Sequence, residues 1–334
     1  MKDMYILAIE SSCDETSCAI VKNGCEDIAT IINTQIDIHT LYGGVVPEIA
    51  SREHLKSITL VIDECLKKAK MTMDDIDAIA VTYGPGLIGS LLVGIEAAKT
   101  LSLMYDKPLV KVNHMAGHIY ANNLTKKMEY PLLSLVISGG HTEFIYMKDE
   151  YSFEKIGSTL DDAVGECYDK VARVIGVGYP GGPIIDKLSK KGKHEYNLPL
   201  PLNDDSYNFS FSGLKSAVIN LAHNCEQRGE ELNKENLAKS FQDVVVETIK
   251  KKTLKAIKDY KVKRLVVAGG VSANSAIREA LEELCKENKI DFSVPELKYC
   301  TDNATMIGAA GYYAYKNGQI ADLNLNACPG LDLG

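Results

Sequence analysis

The sequence predicts an α/β protein built from two related halves, and three observations carry that prediction. Short, near-continuous apolar runs alternate with amphipathic helical patterns along the whole chain. The segments AIESSCDETSCAIV and LVISGGHTEFIYM both read as strand, tight polar turn, strand, with Ser12 matching Ser138 and Thr16 matching Thr142 at one common separation. The length of 334 residues, 46% of them hydrophobic and 25% charged, suffices for two cores of ordinary size.

The apolar runs Tyr5–Ile9, Ile76–Thr82, Leu132–Ile137 and Arg264–Ala268 suit strands buried on both faces. Leu55, Ile58, Ile62 and Leu66 recur at helical spacing, with Arg52, Glu53, Lys56 and Lys67 on other faces. Leu237, Phe241, Val245, Thr248 and Ile249 repeat the pattern in a longer helix. The longest apolar stretch, Leu87–Met104, contains Glu96, Lys99 and small residues, and reads as a buried helix rather than a membrane span. The polar segment Tyr120–Tyr130 is expected to connect an N-terminal domain (1–125) to a C-terminal one (126–299). The tail beyond Gly318, with 323–334 outside both domains, is expected to fray or pack late.

A formal charge of −8 argues against a general, charge-driven binder of nucleic acid but leaves room for a local basic patch. Lys250–Arg264 holds eight basic residues against one acidic residue. Its plainer reading is a solvated helix face and its sharper one a contact for a phosphate backbone. The first apolar run is interrupted at once by Glu10, Asp14 and Glu15, unlike a secretory signal. Nine scattered cysteines without a CxxC pair argue against a disulfide framework or a structural zinc site, and point to a reducing cytoplasm.

Five motifs carry chemistry. In His114-Met115-Ala116-Gly117-His118 the i, i+4 histidines share one helix face and can bind one metal, although a pair of core histidines reads equally well. Met115 stands where a zinc protease carries its general base, so water activation of that kind is absent. Asp302 is attractive as a third ligand; an N,N,O set suits one divalent ion, iron or zinc among them. Ser138-Gly139-Gly140 and Ala268-Gly269-Gly270-Val271-Ser272-Ala273-Asn274 follow strands and let backbone approach a ligand, the second opening a helix whose N-terminus attracts phosphate. Gly269 and Gly270 permit the close approach of a flat ligand, whereas Asn274 serves equally well as a plain helix cap. Tyr83-Gly84-Pro85-Gly86 and Tyr179-Pro180-Gly181-Gly182-Pro183 add two more turns, and the four together favour a nucleotide cleft.

These motifs occur with IESSCDET, YGGVVPEIASREH, DDAVGECYDK, FSFSGLK and CTDNATMIGAAG in one fixed order. The order resembles that of the tRNA adenosine threonylcarbamoyltransferases, the bacterial members most closely, from about Ile6 to Asp322. The resemblance implies the actin/hexokinase/heat-shock-protein-70 (ASKHA) fold, two related domains around a nucleotide cleft, with residues 300–322 returning to the first. It implies that His114, His118 and Asp302 hold the metal, and that Val136, Ile137, Ser138, Gly139, Gly140, Asp169, Gly182, Asp186 and Asn274 line the nucleotide site. The activity implied is transfer of threonylcarbamoyl from threonylcarbamoyl-AMP to the exocyclic amine of the adenosine beside the anticodon of tRNA. Implied partners are tRNA, a separate synthase for the donor, an inactive relative of the same fold (TsaB type) and a small ATPase (TsaE type), with no membrane. Asp14 and Glu15 are the candidates for moving the amine proton and for positioning. Rival readings are a small-molecule kinase or carbamoyltransferase of the same fold, a catalytically silent scaffold, and a metallopeptidase; the reaction product separates them.

Overall fold

The computed structural model describes residues 2–334, and the chain divides into two units, each built on its own mixed sheet. Unit 1 runs to Met128 and takes in Asp149–Phe153 and Pro295–Gly334; unit 2 is Glu129–Lys148 with Glu154–Val294. In chain order the first stretch gives β1 (Tyr5–Glu10), β2 (Glu15–Lys22), β3 (Glu26–Thr34), α1 (Ile36–Thr40), α2 (Pro47–Ala69), β4 (Ala78–Gly84), α3 (Ile88–Tyr105), β5 (Leu109–Asn113) and α4 (His114–Tyr120). Unit 2 follows with β6 (Leu132–Ile137), β7 (Thr142–Met147), β8 (Glu154–Ser158), α5 (Val164–Val174), α6 (Gly181–Ser189), α7 (Ser212–Arg228), α8 (Lys234–Tyr260), β9 (Arg264–Ala268), α9 (Ser275–Asn288) and β10 (Asp291–Ser293). The chain closes unit 1 with α10 (Ala304–Lys316) and β11 (Ile320–Ala321).

The two sheets repeat one topology. Unit 1 orders its strands β11-β5-β4-β1-β2-β3 and unit 2 β10-β9-β6-β7-β8, so β1, β2, β3, β4 and β5 correspond to β6, β7, β8, β9 and β10. The hairpins differ in one respect: the last paired residues are Glu10 with Ser17 in one and Ile137 with Thr142 in the other. Unit 1 has the longer turn, so no single separation relates both strands. The duplication rests on the shared strand order, and the Ser12/Ser138 and Thr16/Thr142 identities are not both equivalent positions.

Local chemistry sets the elements. Ile6–Ile9 are wholly buried because β1 lies mid-sheet, antiparallel to β2 and parallel to β4. Pro47, with its fixed φ, opens α2, and Lys70 in the left-handed region ends it. The core of unit 1 joins Ile58, Ile62 and Leu66 of α2 to Leu91 and Ile95 of α3 and to the sheet. Unit 2 gathers Leu237, Phe241, Val245 and Ile249 of α8 with β6 and β9.

Three expectations are corrected. Leu87–Met104 is not buried throughout: α3 is long and apolar enough to cross a membrane, yet only one face meets the core, and Leu103 and Met104 are each 69% exposed. The connection is not solvated along its length, because Tyr120–Asn123 is buried in unit 1 and the division falls after Met128. The tail does not fray. Its β11 pairs with β5, Cys328 N–H donates to Tyr83 O at 2.7 Å, and Asn113 Nδ2 donates to Asp332 O at 3.1 Å.

Helix α10 covers the second face of the first sheet through glycines. A Cβ on Gly308 would sit 2.5 Å from Val21 Cγ2, and one on Gly311 2.6 Å from Ala80 Cβ. Gly308→Val therefore overpacks this layer, and we expect a loss of about 1–3 kcal/mol, read as a lower urea midpoint. An unchanged midpoint would contradict this packing.

Candidate functional site

The residues expected to hold a metal meet within unit 1. Asn113 caps α4, its Oδ1 accepting from Met115 N (2.8 Å) and Ala116 N (3.4 Å), which fixes His114 at the first helical position and His118 one turn on. Asn303 caps α10 in the same way, accepting from Met306 N at 2.9 Å, and holds the adjoining Asp302. Asp302 Oδ1 lies 3.4 Å from His114 Nε2 and 3.1 Å from His118 Nε2, and the three ligand atoms fall within 4.8 Å of one another. Among the described residues, this is the one group of three or more His, Cys, Asp or Glu side chains placed to share an ion.

The donor set fits a cation. His118 is buried, and neither ring nitrogen has a hydrogen-bond partner; Asp302 lies close to Nε2 but off the required angle. On the far side of His114, Glu10 Oε2 lies 3.1 Å from Nδ1, and Ser12 Oγ approaches the same nitrogen at 3.1 Å. Burial favours the neutral ring of His114, but Asp302 and Glu10 outweigh it and keep it protonated in the metal-free chain. Burial opposes the charge of Asp302 too, and the two histidines overcome it, holding this carboxyl far below its ordinary range. A cation at Nε2 would take the place of one proton between two carboxylates.

Asp14 and Glu15 lie beside this centre at the β1–β2 turn. Glu15 accepts from Thr34 Oγ1 at 3.2 Å. Burial first, then the charges of Asp302 and Asp14 and a hydrogen bond to Asp14, push its carboxyl up to about 10. The turn is braced by His54: its Nε2 donates to the carbonyl of Cys13 (2.9 Å), so its Nδ1 accepts from Thr16 Oγ1 (2.8 Å). The neutral ring this requires agrees with burial, which lowers the affinity of His54 for a second proton.

The expected nucleotide-binding residues all lie in unit 2, at the ends of β6 and β9, in the middle of α5, along α6 and at the start of α9. Val136 and Ile137 finish β6, and Ser138, Gly139 and Gly140 form the turn. Gly269 has φ +88, and a Cβ there would lie 2.4 Å from Ile137 O, so the two strand ends touch. Gly139, Gly140, Gly182 and Gly270 face open space, where a Cβ would meet nothing within 4 Å. Asp169 accepts from Gly181 N at 2.7 Å, although burial raises its carboxyl above the ordinary value. Asp186 accepts from Ser275 Oγ at 2.9 Å and from Gln242 Nε2 at 3.3 Å. Asn274 caps α9: its Oδ1 takes Ile277 N and Gln242 Nε2, and its own backbone N–H donates to Val271 O at 2.9 Å.

Not every glycine turn belongs here. Tyr83–Gly86 lies in unit 1, where a Cβ on Gly86 would meet Ser12 O at 2.6 Å and one on Gly84 would meet Cys328 O at 2.0 Å. Those glycines serve close backbone packing. The basic stretch divides likewise. Lys252 is buried on Asp204 and Ser206, Lys255 pairs with Asp259, and Arg264 with Glu129, while Lys250, Lys251 and Lys258 line a shallow groove along α8. Sequence reasoning missed Glu10, Thr82, Gln242 and Tyr168, whose hydroxyl donates to Gln242 Oε1 at 2.8 Å. The available signal was a charged or amide side chain inside an apolar run, as Gln242 beside Phe241.

The chain is similar to known proteins along nearly its whole length. The family profile described as "TsaD: tRNA N6-adenosine threonylcarbamoyltransferase" matches residues 26–309. Two curated relatives named tRNA N6-adenosine threonylcarbamoyltransferase are similar along their length. That of Staphylococcus saprophyticus is 57% identical over 98% of this chain and 96% of its own, and that of Staphylococcus carnosus 56% over 99% and 97%. Among solved structures, full-length HypF in a phosphate- and nucleotide-bound form has a TM-score of 0.65 at 15% identity, covering 94% of this chain and 47% of its own. Component A of (R)-2-hydroxyglutaryl-CoA dehydratase from Acidaminococcus fermentans has a TM-score of 0.53 at 17% identity, covering 93% and 97%. These likenesses are of fold, and the fold is the ASKHA type.

The Glu15 carboxyl yields a pH test. Its folded-state value is raised from 4.5 to about 10, so the folded chain holds a proton that the unfolded chain releases. Its contribution to stability is full below about 4.5 and is lost as pH rises toward 10. In the metal-free protein, Glu15→Gln should gain stability relative to wild type as pH rises from 5 to 8, measured by urea unfolding. A difference that is flat with pH would overturn the assignment.

Proposed function

The chain belongs to the tRNA N6-adenosine threonylcarbamoyltransferase family, and from that premise we propose that it transfers threonylcarbamoyl from threonylcarbamoyl-AMP to the exocyclic amine of adenosine 37, next to the anticodon, in tRNAs reading codons that begin with A. The observation that carries this reading is the buried His114–His118–Asp302 group beside the Asp14–Glu15 turn. The rival metallopeptidase lacks a base at Met115, and a kinase or a small-molecule carbamoyltransferase of the same fold has no comparable support from the relatives.

The chemistry assigns work to each part. The adenine amine is a poor nucleophile because its lone pair is delocalised into the ring, so the acyl donor must be activated. Its nitrogen forms a bond to the carbamoyl carbon, the bond from that carbon to the phosphate oxygen breaks, AMP leaves and the amine sheds a proton. Asp14 is the acceptor we assign for that proton. Glu15, protonated and hydrogen-bonded to Asp14, orients it. Val136–Gly140, Asp169, Gly182, Asp186, Gly269, Gly270 and Asn274 hold the AMP portion, the open glycines giving its rings and phosphate access to backbone. His114, His118 and Asp302 would hold one divalent ion, iron or zinc, which supplies positive charge for a departing phosphate without acid–base chemistry.

The reaction takes place in the cytoplasm with partners. A separate synthase supplies the donor. Between α2 and α3 an uncovered apolar groove of about 660 Å³ is lined by Leu55, Ile58, Ile62, Leu66, Leu92 and Leu101, and suits the inactive relative of the same fold (TsaB type), with the small ATPase (TsaE type) resetting the complex. The exposed lysines of α8 offer only part of the charge a tRNA needs.

Purified threonylcarbamoyl-AMP and unmodified tRNA, followed by nucleoside mass spectrometry, test the reaction. We expect slow transfer by the lone chain, rapid turnover with the partners, and His118→Ala losing metal content and transfer together. Absence of modified adenosine under every combination would overturn the function, and full metal occupancy in a His114→Ala, His118→Ala chain would overturn the metal site. Gly270→Val should abolish nucleotide binding with circular dichroism unchanged, because its side chain fills the open face of the turn; unchanged affinity would place the nucleotide elsewhere.

A further inference from the structure

Glu10 is the last residue of β1, and its side chain is wholly buried. A carboxylate taken out of water costs several kcal/mol unless it is paired or fully hydrogen-bonded. Its contacts are three donors: Ser12 N to Oε1 at 2.6 Å, and Thr82 Oγ1 (2.5 Å) and His114 Nδ1 (3.1 Å) to Oε2. With Oε1 taking the Ser12 N–H and Oε2 the Thr82 hydroxyl, Glu10 serves as an acceptor, so the ring proton shared with it sits on Nδ1 and the other nitrogen of His114 faces Asp302.

The duplicated sheet supplies an internal control. The position equivalent to Glu10, at the end of β6, is Ile137, fully buried and apolar. The fold thus accommodates a hydrocarbon side chain at this strand end, and unit 2 has no histidine pair beside it. The carboxylate occurs in the half that has the histidines.

We propose that Glu10 is the positioning residue of the metal centre: it holds His114 in the tautomer whose Nε2 lone pair is turned toward the ion and places a negative charge behind that ring. The same carboxylate holds Ser12 N, two residues before Asp14, and thereby ties the metal ligand to the turn that handles the amine proton. This inference rests on the metal reading above and adds a residue that does not touch the ion. Carboxylates behind ligating histidines fix the ring and raise its basicity, and their loss typically weakens metal affinity 10–100-fold.

Glu10→Gln tests it. The amide fills the same space, yet either of its orientations removes the charge behind His114, and one of them sets an N–H against Nδ1. Zinc competition against a chromophoric chelator should give a dissociation constant 10–100-fold above that of the full-length wild-type chain. A value within twofold of wild type, in a variant with native circular dichroism, overturns the proposal. Should Glu10→Gln fail to fold, histidine nitrogen NMR of the zinc-loaded wild type decides: Nδ1–H with zinc on Nε2 of His114 is expected, and zinc on Nδ1 overturns it. A wild-type chain that binds no zinc or iron overturns the metal reading and this inference together, whereas ordinary wild-type affinity with an unaffected variant removes this inference alone.

Discussion

Two imidazoles and a carboxylate lie against one another in unit 1 with too few protein hydrogen bonds to satisfy them, and much of the surrounding architecture serves to hold them there. Each buried polar group left unpaired costs about 1–3 kcal/mol, and His118 leaves both its ring nitrogens in that condition. Relaxation of the side chains would relieve the cost, so rigid supports are required. Asn113 and Asn303 supply them by capping α4 and α10 at the residues adjoining His114 and Asp302. The glycines of α10 bring that helix hard against the sheet, and α4 packs on α10 in turn through Gly117, whose Cβ would meet Ile307 Cδ1 at 2.7 Å.

Much of this was legible in the sequence, and the limits have physical causes. Near-continuous apolar runs located β1, β4, β6 and β9, because strands buried on both faces need no polar side chains. The i, i+4 histidines declared themselves by spacing, and the carboxylate that joins them came from resemblance to a family, since no spacing links residue 118 to residue 302. Glu10 stayed hidden because a charged residue closing an apolar run reads as the end of a strand; its burial depends on β4 and α4, distant in sequence. Gln242 was hidden for the same reason, inside the apolar face of a long helix. Helix α3 was misjudged because composition reports how apolar a helix is, not how many of its faces find a partner within the chain.

The repeated sheet clarifies what glycines mean. Sequence alone gives the turn after β4 and the turn after β9 the same appearance, yet Gly86 is pressed against Ser12 O while Gly270 looks onto open space. The first is a condition of packing and the second leaves room for a ligand. The halves have kept a strand order and exchanged chemistry: one strand end carries a carboxylate and the other a hydrocarbon, and the polar content followed the use to which each turn was put.

Unit 1 is discontinuous: the segment that supplies Asp302, α10 and β11 is made only after all of unit 2. On the ribosome, a chain that has emerged as far as Val294 carries both histidines but lacks the third ligand and the helix that seals the second face of the sheet. Translation order therefore delivers the last member of the candidate trio and the sealing helix together. A chain that ends before Asp302 lacks the third member of that trio and, without α10, leaves the second face of the first sheet bare.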